Sequence, residues 1–207
     1  MSARVVLLHG IWNARAWLQP LARRLRRHGL EPQVVGYASV FGDPDANLAV
    51  LVERLRAAGE TAVVGHSLGG IMALEALRRA PDLPIARVVC LGSPLRGSRT
   101  AAALAAMAWG APVLGRSAGI LQRDLGDWTG GVQVGMVAGT VQHGLGRLLA
   151  RFDEGGDGTV GLDETRMPGL TDHCTVPASH SGLVFSPQAA AQAAYFIRHG
   201  RFAPDVG

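Results

Sequence analysis

Lysine is missing from this chain of 207 residues, whose 20 basic residues are all arginine. A Schiff-base enzyme needs an amine, and a P-loop needs one on a flexible stem, so both classes are excluded. Cysteine occurs only at Cys90 and Cys174. With no Cys or His at finger-type spacing the pair makes no zinc site, and nothing else suggests an oxidising compartment, although a disulfide between them stays open. Aromatic residues are 5% of the chain and none interleaves with the arginines as a stacking platform, which argues against nucleic acid as a partner. No apolar run approaches the ~20 residues that span a bilayer, and the start of the chain lacks a signal-type segment. A soluble, cytoplasmic protein is expected.

What is present is a hydrophobic content of 48%, enough to bury one substantial core, and we expect a single domain over residues 1–207. The net charge is +4. The densest basic cluster, Arg23, Arg24, Arg26 and Arg27, reads as the solvated face of an amphipathic helix with Leu21 and Leu25 turned inward. Contact with an anionic membrane surface is the alternative for that cluster.

Strand-like runs at residues 4–9, 33–37, 61–65, 87–91 and 132–138 are rich in Val or Leu without strict alternation, as in a sheet covered on both faces. Helical patterns lie between them at 18–28, 46–58 and 68–80, with Gly29, Gly59 and Pro81 as stops. A last helix opens with Ser186-Pro187 as cap and first turn and stops at Gly200. Such alternation predicts an α/β fold, a mostly parallel central sheet with helices on both faces, and ligands at the carboxyl ends of the strands. The Ala- and Gly-rich stretch 97–131 has two readings: a short helical cap whose apolar residues line an acyl groove, or surface helices packed on the core.

The chemistry concentrates in Val63-Val64-Gly65-His66-Ser67-Leu68-Gly69-Gly70, a β-branched run that feeds Gly-x-Ser-x-Gly and then a helix. This is the pattern of a nucleophile elbow, in which a strained serine at the tip of a strand-to-helix turn aims its hydroxyl out of the sheet. The backbone N–H of Leu68, at the helix start, is left free to face an oxygen beside Ser67. A serine nucleophile needs a general base and a carboxylate to orient it. Of the later histidines, His180 lies in a loop of small residues directly before the last helix, where an imidazole reaches the strand ends; His173 is the runner-up. For the acid, Asp157 sits among glycines at 155, 156 and 158, with Asp153, Glu154, Asp163 and Glu164 as competitors. No EF-hand-like spacing accompanies these acids, so neither metal nor cofactor is expected.

His9-Gly10-Ile11-Trp12 after the first strand completes the set. The chain resembles the α/β-hydrolase superfamily, and within it small bacterial esterases and lipases. Their pattern runs His-Gly after the first strand, Gly-His-Ser-x-Gly-Gly at the elbow, Asp-Gly-x-Val for the acid and a late loop His. The resemblance spans nearly the whole length and implies a minimal α/β-hydrolase fold, a triad of Ser67, Asp157 and His180, and an oxyanion hole formed by the N–H groups of Ile11 and Leu68. It also implies that His9 braces its loop. The expected substrate is a small-molecule or lipid-like acyl ester, with Trp12, Met107 and Trp109 as candidate acyl-pocket residues. Thioesterase and acyltransferase chemistry suit the same triad, and a non-catalytic binding protein on this fold is the rival of another class.

Overall fold

The computed structural model describes residues 3–11, 15–40, 42–107, 110–143 and 155–204. Six strands form one sheet: β1 (Ala3–Leu8), β2 (Leu30–Val35), β3 (Thr61–His66), β4 (Ile85–Leu91), β5 (Gln133–Gly139) and β6 (Asp172–Val176). Their spatial order is β2-β1-β3-β4-β5-β6, and every neighbouring pair is parallel. β3, with Ala62, Val63 and Val64 at its centre, is buried along its whole length, as cover on both faces requires.

The edges depart from the expected boundaries. β2 starts at Leu30 and runs through Pro32. Proline lacks a ladder donor, and an edge strand, with one side unpaired, accommodates it. The expected continuation to Tyr37 does not occur; Tyr37 instead stacks on His9, with ring centroids 4.5 Å apart. β6, whose residues are mostly half-exposed, was not expected at all.

On one face of the sheet lie α1 (Gln19–Arg27), and, near the end of the chain, a short helix and the last long one. Leu21, Ala22 and Leu25 of α1 pack there with Val5, Leu7, Val64 and Val89 of the sheet, while Arg23, Arg26 and Arg27 face solvent, as the amphipathic reading requires. The other face carries α2 (Pro44–Ala58) and α3 (Leu68–Arg79). α2 begins two residues before its expected start, because the Asp43 carboxylate accepts a bond from Ala46 N at 2.9 Å and Pro44 fits the first turn.

The stretch 97–131 forms α4 (Arg99–Ala105), α5 (Gly110–Leu114), a 3-10 turn and α6 (Ala118–Gln122). Leu104, Leu114, Leu121, Leu125 and Trp128 are buried and join the core beside α2 and α3. These are helices packed on the core. The remaining helices are α7 (Leu162–Thr165), α8 (Gly182–Phe185) and α9 (Pro187–His199). The buried side of α9 is built from Ala189, Ala190, Ala193 and Ala194 with Phe196, small enough for the helix to lie close on the sheet. Cys90 in β4 is buried and Cys174 in β6 is half-buried, and no disulfide joins the two. No helix among the described residues is long and apolar enough to cross a membrane.

After β2 the chain crosses to the far side of β1 and adds β3 next to it, with Leu8 level with Gly65. The carboxyl ends of β1 and β3 therefore meet at the point where strand order reverses, the place where sheets of this kind open a crevice.

Candidate functional site

Ser67 is the single residue between β3 and α3, and the geometry of that junction follows from its glycines. A Cβ on Gly65 would sit 2.4 Å from the Gly69 carbonyl carbon, and one on Gly69 would sit 2.3 Å from Leu8 O. Only hydrogen fits when strand and helix pass so closely. Ser67 itself takes φ 55° and ψ −120°, and no other non-glycine among the described residues has positive φ. Its N–H donates to Leu91 O at 2.9 Å and its carbonyl accepts from Gly70 N at 3.1 Å, so the strained turn is held at both ends. Leu68 begins α3, and a first-turn N–H has no intrahelical acceptor. Ile11, just after β1, is half-buried against the core.

Asp157 and His180 meet. Asp157 is 1% exposed, and its Oδ2 accepts from His180 Nδ1 at 2.7 Å. Its Oδ1 accepts from Thr159 N at 2.9 Å and Val160 N at 2.8 Å, and its carbonyl accepts from His180 N at 2.9 Å. A carboxylate bonded in this way orients the imidazole and assigns the proton to Nδ1, leaving Nε2 as the free base. Among the described residues the hydrogen bonds of this cluster reach from Asp157 through His180 to His66; none ends on Ser67 Oγ.

His66 adds a contact that the spacing of residues did not announce. Its Nε2 donates to His180 O at 2.9 Å and the two rings lie 4.9 Å apart. The partner carbonyl assigns the proton to Nε2, so Nδ1 is an acceptor, buried without a partner. Burial, and then the neighbouring His180, push its pKa down to about 3, which keeps the ring neutral. Gly92 lies beneath the same pair: at φ 57°, a Cβ there would meet Leu183 Cδ1 at 2.7 Å, Asp157 Oδ2 at 2.9 Å and His180 Nδ1 at 3.3 Å.

Two further networks hold the loops. His9 Nδ1 donates to Gly10 O at 2.8 Å, its Nε2 accepts from Tyr37 N at 3.3 Å, and the Tyr37 hydroxyl donates to His9 O. Burial lowers the His9 pKa, in keeping with a neutral ring that braces the turn after β1. Glu164, 3% exposed, accepts from Arg99 N at 2.7 Å, Arg99 Nε at 3.1 Å and Gly161 N at 2.9 Å, tying the Asp157 loop to the start of α4. Thr100 Oγ1 adds a bond to Thr159 O at 2.6 Å.

The alternatives weighed from the sequence are occupied elsewhere. His173 Nε2 pairs with Thr165 Oγ1 at 2.9 Å, and Asp163 pairs with Arg99 at 2.6 Å. Asp153, Glu154, Trp12 and Trp109 lie outside the described residues, and Met107 is half-buried against the core cluster. Sequence reasoning missed His66 and Gly92 as parts of this cluster, and weighed Glu164 as a rival acid where the structure has it bracing the Asp157 loop. For His66 the only signal was its place beside Ser67.

A sequence profile described as the alpha/beta hydrolase family matches residues 5–202. No curated protein matches the sequence. Among solved structures, the mature lipase BlEst2 of Bacillus licheniformis aligns with a TM-score of 0.74 at 18% identity, covering 95% of this chain and 91% of that one. The propeptide form of the same lipase gives 0.81 at 18% identity over 100% of this chain and 52% of that one. The metagenomic carboxyl esterase MGS0156 gives 0.69 at 20% identity over 95% and 75%. At such identities the likeness speaks for the fold.

Proposed function

This chain belongs to the α/β-hydrolase family, and we propose that it is a serine hydrolase cleaving carboxylic esters through an acyl-enzyme intermediate, with residues 1–207 acting as one domain. The observation that carries the reading is the strained Ser67 at the head of α3, next in the chain to His66, whose ring lies 4.9 Å from that of the aspartate-oriented His180. Backbone strain in a non-glycine residue persists where the fold insists on it, and elbows of this kind are where nucleophiles sit. The lipase and the carboxyl esterase that share the fold are consistent with ester substrates.

In the proposed mechanism His180 Nε2 accepts the Ser67 hydroxyl proton as Oγ attacks the ester carbonyl. Asp157, fixed on Nδ1, stabilises the imidazolium that forms. The tetrahedral oxyanion is held by the N–H groups of Leu68 and Ile11, each lowering the barrier by about 3 kcal/mol. His180 then hands the proton to the leaving alcohol, and water repeats the sequence to release the acid. Trp12, Met107 and Trp109 are kept as the candidate acyl-binding residues of this proposal; of the three, Met107 belongs to the described residues. No cofactor takes part in this scheme.

Hydrolysis of a p-nitrophenyl ester series by wild type and Ser67→Ala tests the proposal, together with labelling by a fluorophosphonate probe, which reacts only with an activated serine. Loss of both in the variant is expected; activity equal to wild type in Ser67→Ala refutes it. Acyl-thioester and amide substrates in the same panel separate thioesterase or acyltransferase chemistry, and a wild-type protein that the probe does not label is a binding protein.

A further inference from the structure

Charge is sorted between the two faces of the sheet. α1 and α9 pack side by side on one face, with Arg198 Nη2 donating to His28 O, and α8 lies beside α1, where Arg24 Nε donates to Phe185 O at 3.1 Å. These three helices carry Arg23, Arg24, Arg26, Arg27 and Arg198, followed at once by Arg201, and not one carboxylate; residues 1–30 and 173–204 hold no acidic residue. The whole chain has a net charge of only +4, so the rest of it is net acidic. The ion pairs show the same division. Arg56, Arg78, Arg79, Arg96, Arg99, Arg116 and Arg123 each pair with Asp or Glu around the opposite face. Among the described residues none of the six arginines of α1, α9 and position 201 has a carboxylate partner. The carboxylates nearest in the chain are Glu31, at the start of β2, Asp172, which accepts from His173 N and Phe202 N, and Asp205, outside the described residues.

An aromatic ring stands on this basic face. Phe185, at the end of α8, is 44% exposed, and Val50 is the other large apolar side chain of comparable exposure among the described residues. Trp17 meets the Phe185 ring edge-on, with centroids 5.3 Å apart. α8 starts two residues after His180, so the patch adjoins the loop of the candidate site. A helical face that carries arginines and no acid, with one exposed aromatic at the end of α8, has the composition of a surface that lies on anionic headgroups and lets one apolar side chain into the acyl boundary.

We infer that the face formed by α1, α8 and α9 docks on a bilayer containing anionic lipid, with Arg23, Arg26, Arg27, Arg198 and Arg201 on the headgroups and Phe185 inserted. Each arginine near such a surface adds to the attraction, and the field falls off within a Debye length, so the interaction is lost in salt. The inference does not depend on the hydrolase reading. Its test uses the Ser67→Ala variant of residues 1–207, which removes lipid turnover as a variable.

The measurement is co-sedimentation with phosphatidylcholine vesicles and with phosphatidylcholine–phosphatidylglycerol vesicles, at low and high salt. Binding to the anionic vesicles alone, and its release by salt, is expected. R23S/R27S/R201S should reduce the partition coefficient by at least about tenfold, and F185S should reduce it about fivefold while keeping the salt dependence. R56S/R79S/R116S removes the same charge from the opposite face and should bind as the parent does. Thermal melts check that every variant is folded. Equal losses in the two triple variants, no selection for anionic vesicles, or preferential capture of RNA over vesicles at equal phosphate concentration would each overturn the proposal.

Discussion

Gly92→Ala places a methyl group against the Asp157–His180 pair, and its cost can be worked from the structure. Gly92 has φ 57°, where an L-residue pays about 1–2 kcal/mol. The added Cβ would lie 2.7 Å from Leu183 Cδ1 and 2.9 Å from Asp157 Oδ2. Neither neighbour has room to retreat: Leu183 is fully buried, and Asp157 Oδ2 is already committed to His180 Nδ1 at 2.7 Å. Overpacking of this kind adds about 1–3 kcal/mol. Strain and overlap together amount to about 3 kcal/mol, which for a chain of this size lowers Tm by roughly 6–12 °C. Gly126→Ala separates the two effects, since Gly126 has φ 66° and no atom within 4 Å of its would-be Cβ. That variant should carry strain alone, about 1 kcal/mol, or roughly 2–4 °C. Displacing the carboxylate also misplaces the imidazole, and a shift approaching 1 Å costs up to ~100-fold in turnover. Thermal unfolding and p-nitrophenyl ester hydrolysis at 20 °C read both quantities. If Gly92→Ala melts like Gly126→Ala and hydrolyses ester like wild type, the placement of Gly92 under the pair has no bearing on the site and the reasoning fails.

Protonation of His66 should cost stability in acid. Its pKa is depressed from 6.5 to about 3, so its contribution is intact above pH 6.5 and is lost as pH falls from there toward 3. By pH 4.5 the loss amounts to about 3 kcal/mol. Urea unfolding at pH 7 and pH 4.5 should show a smaller difference in H66Q, whose amide can still donate to His180 O; parallel behaviour of the two proteins contradicts the assignment. Glu164→Gln keeps the shape of a side chain that accepts from both Arg99 N and Gly161 N, yet its amide turns a donor toward one of them. A destabilisation of about 1–3 kcal/mol is expected by differential scanning calorimetry, with slower ester hydrolysis as the Asp157 loop loosens; an unchanged melting curve would show the network to be idle.

The elbow was readable because everything that makes it is contiguous: an apolar strand, glycines where backbones cross and a helix start all fall within residues 63–70. The central strands were readable because burial on both faces writes itself as a continuous apolar run. The edge strands were not. β6, Asp172–Val176, is half-solvated and so carries too little apolar signal to separate it from a loop. The stretch 97–131 was ambiguous in another way, since its scattered Leu, Met and Trp suit a cap or a packed layer equally; Leu104, Leu121 and Trp128 are buried in the core cluster. His66 and Gly92 acquire their significance from partners far along the chain: the carbonyl accepting from His66 belongs to a residue 114 positions away. Charge sorting is the intermediate case. That residues 1–30 and 173–204 lack acids is visible in the letters, but it becomes a property of a surface only once α1 and α9 lie together on one side of the sheet. Local sequence thus specifies the strained serine, whereas Gly92, Asp157 and His180 are brought together by strand order: β4, β5 and β6 stand side by side and parallel, so the chain leaving each of them emerges at the same end of the sheet as Ser67.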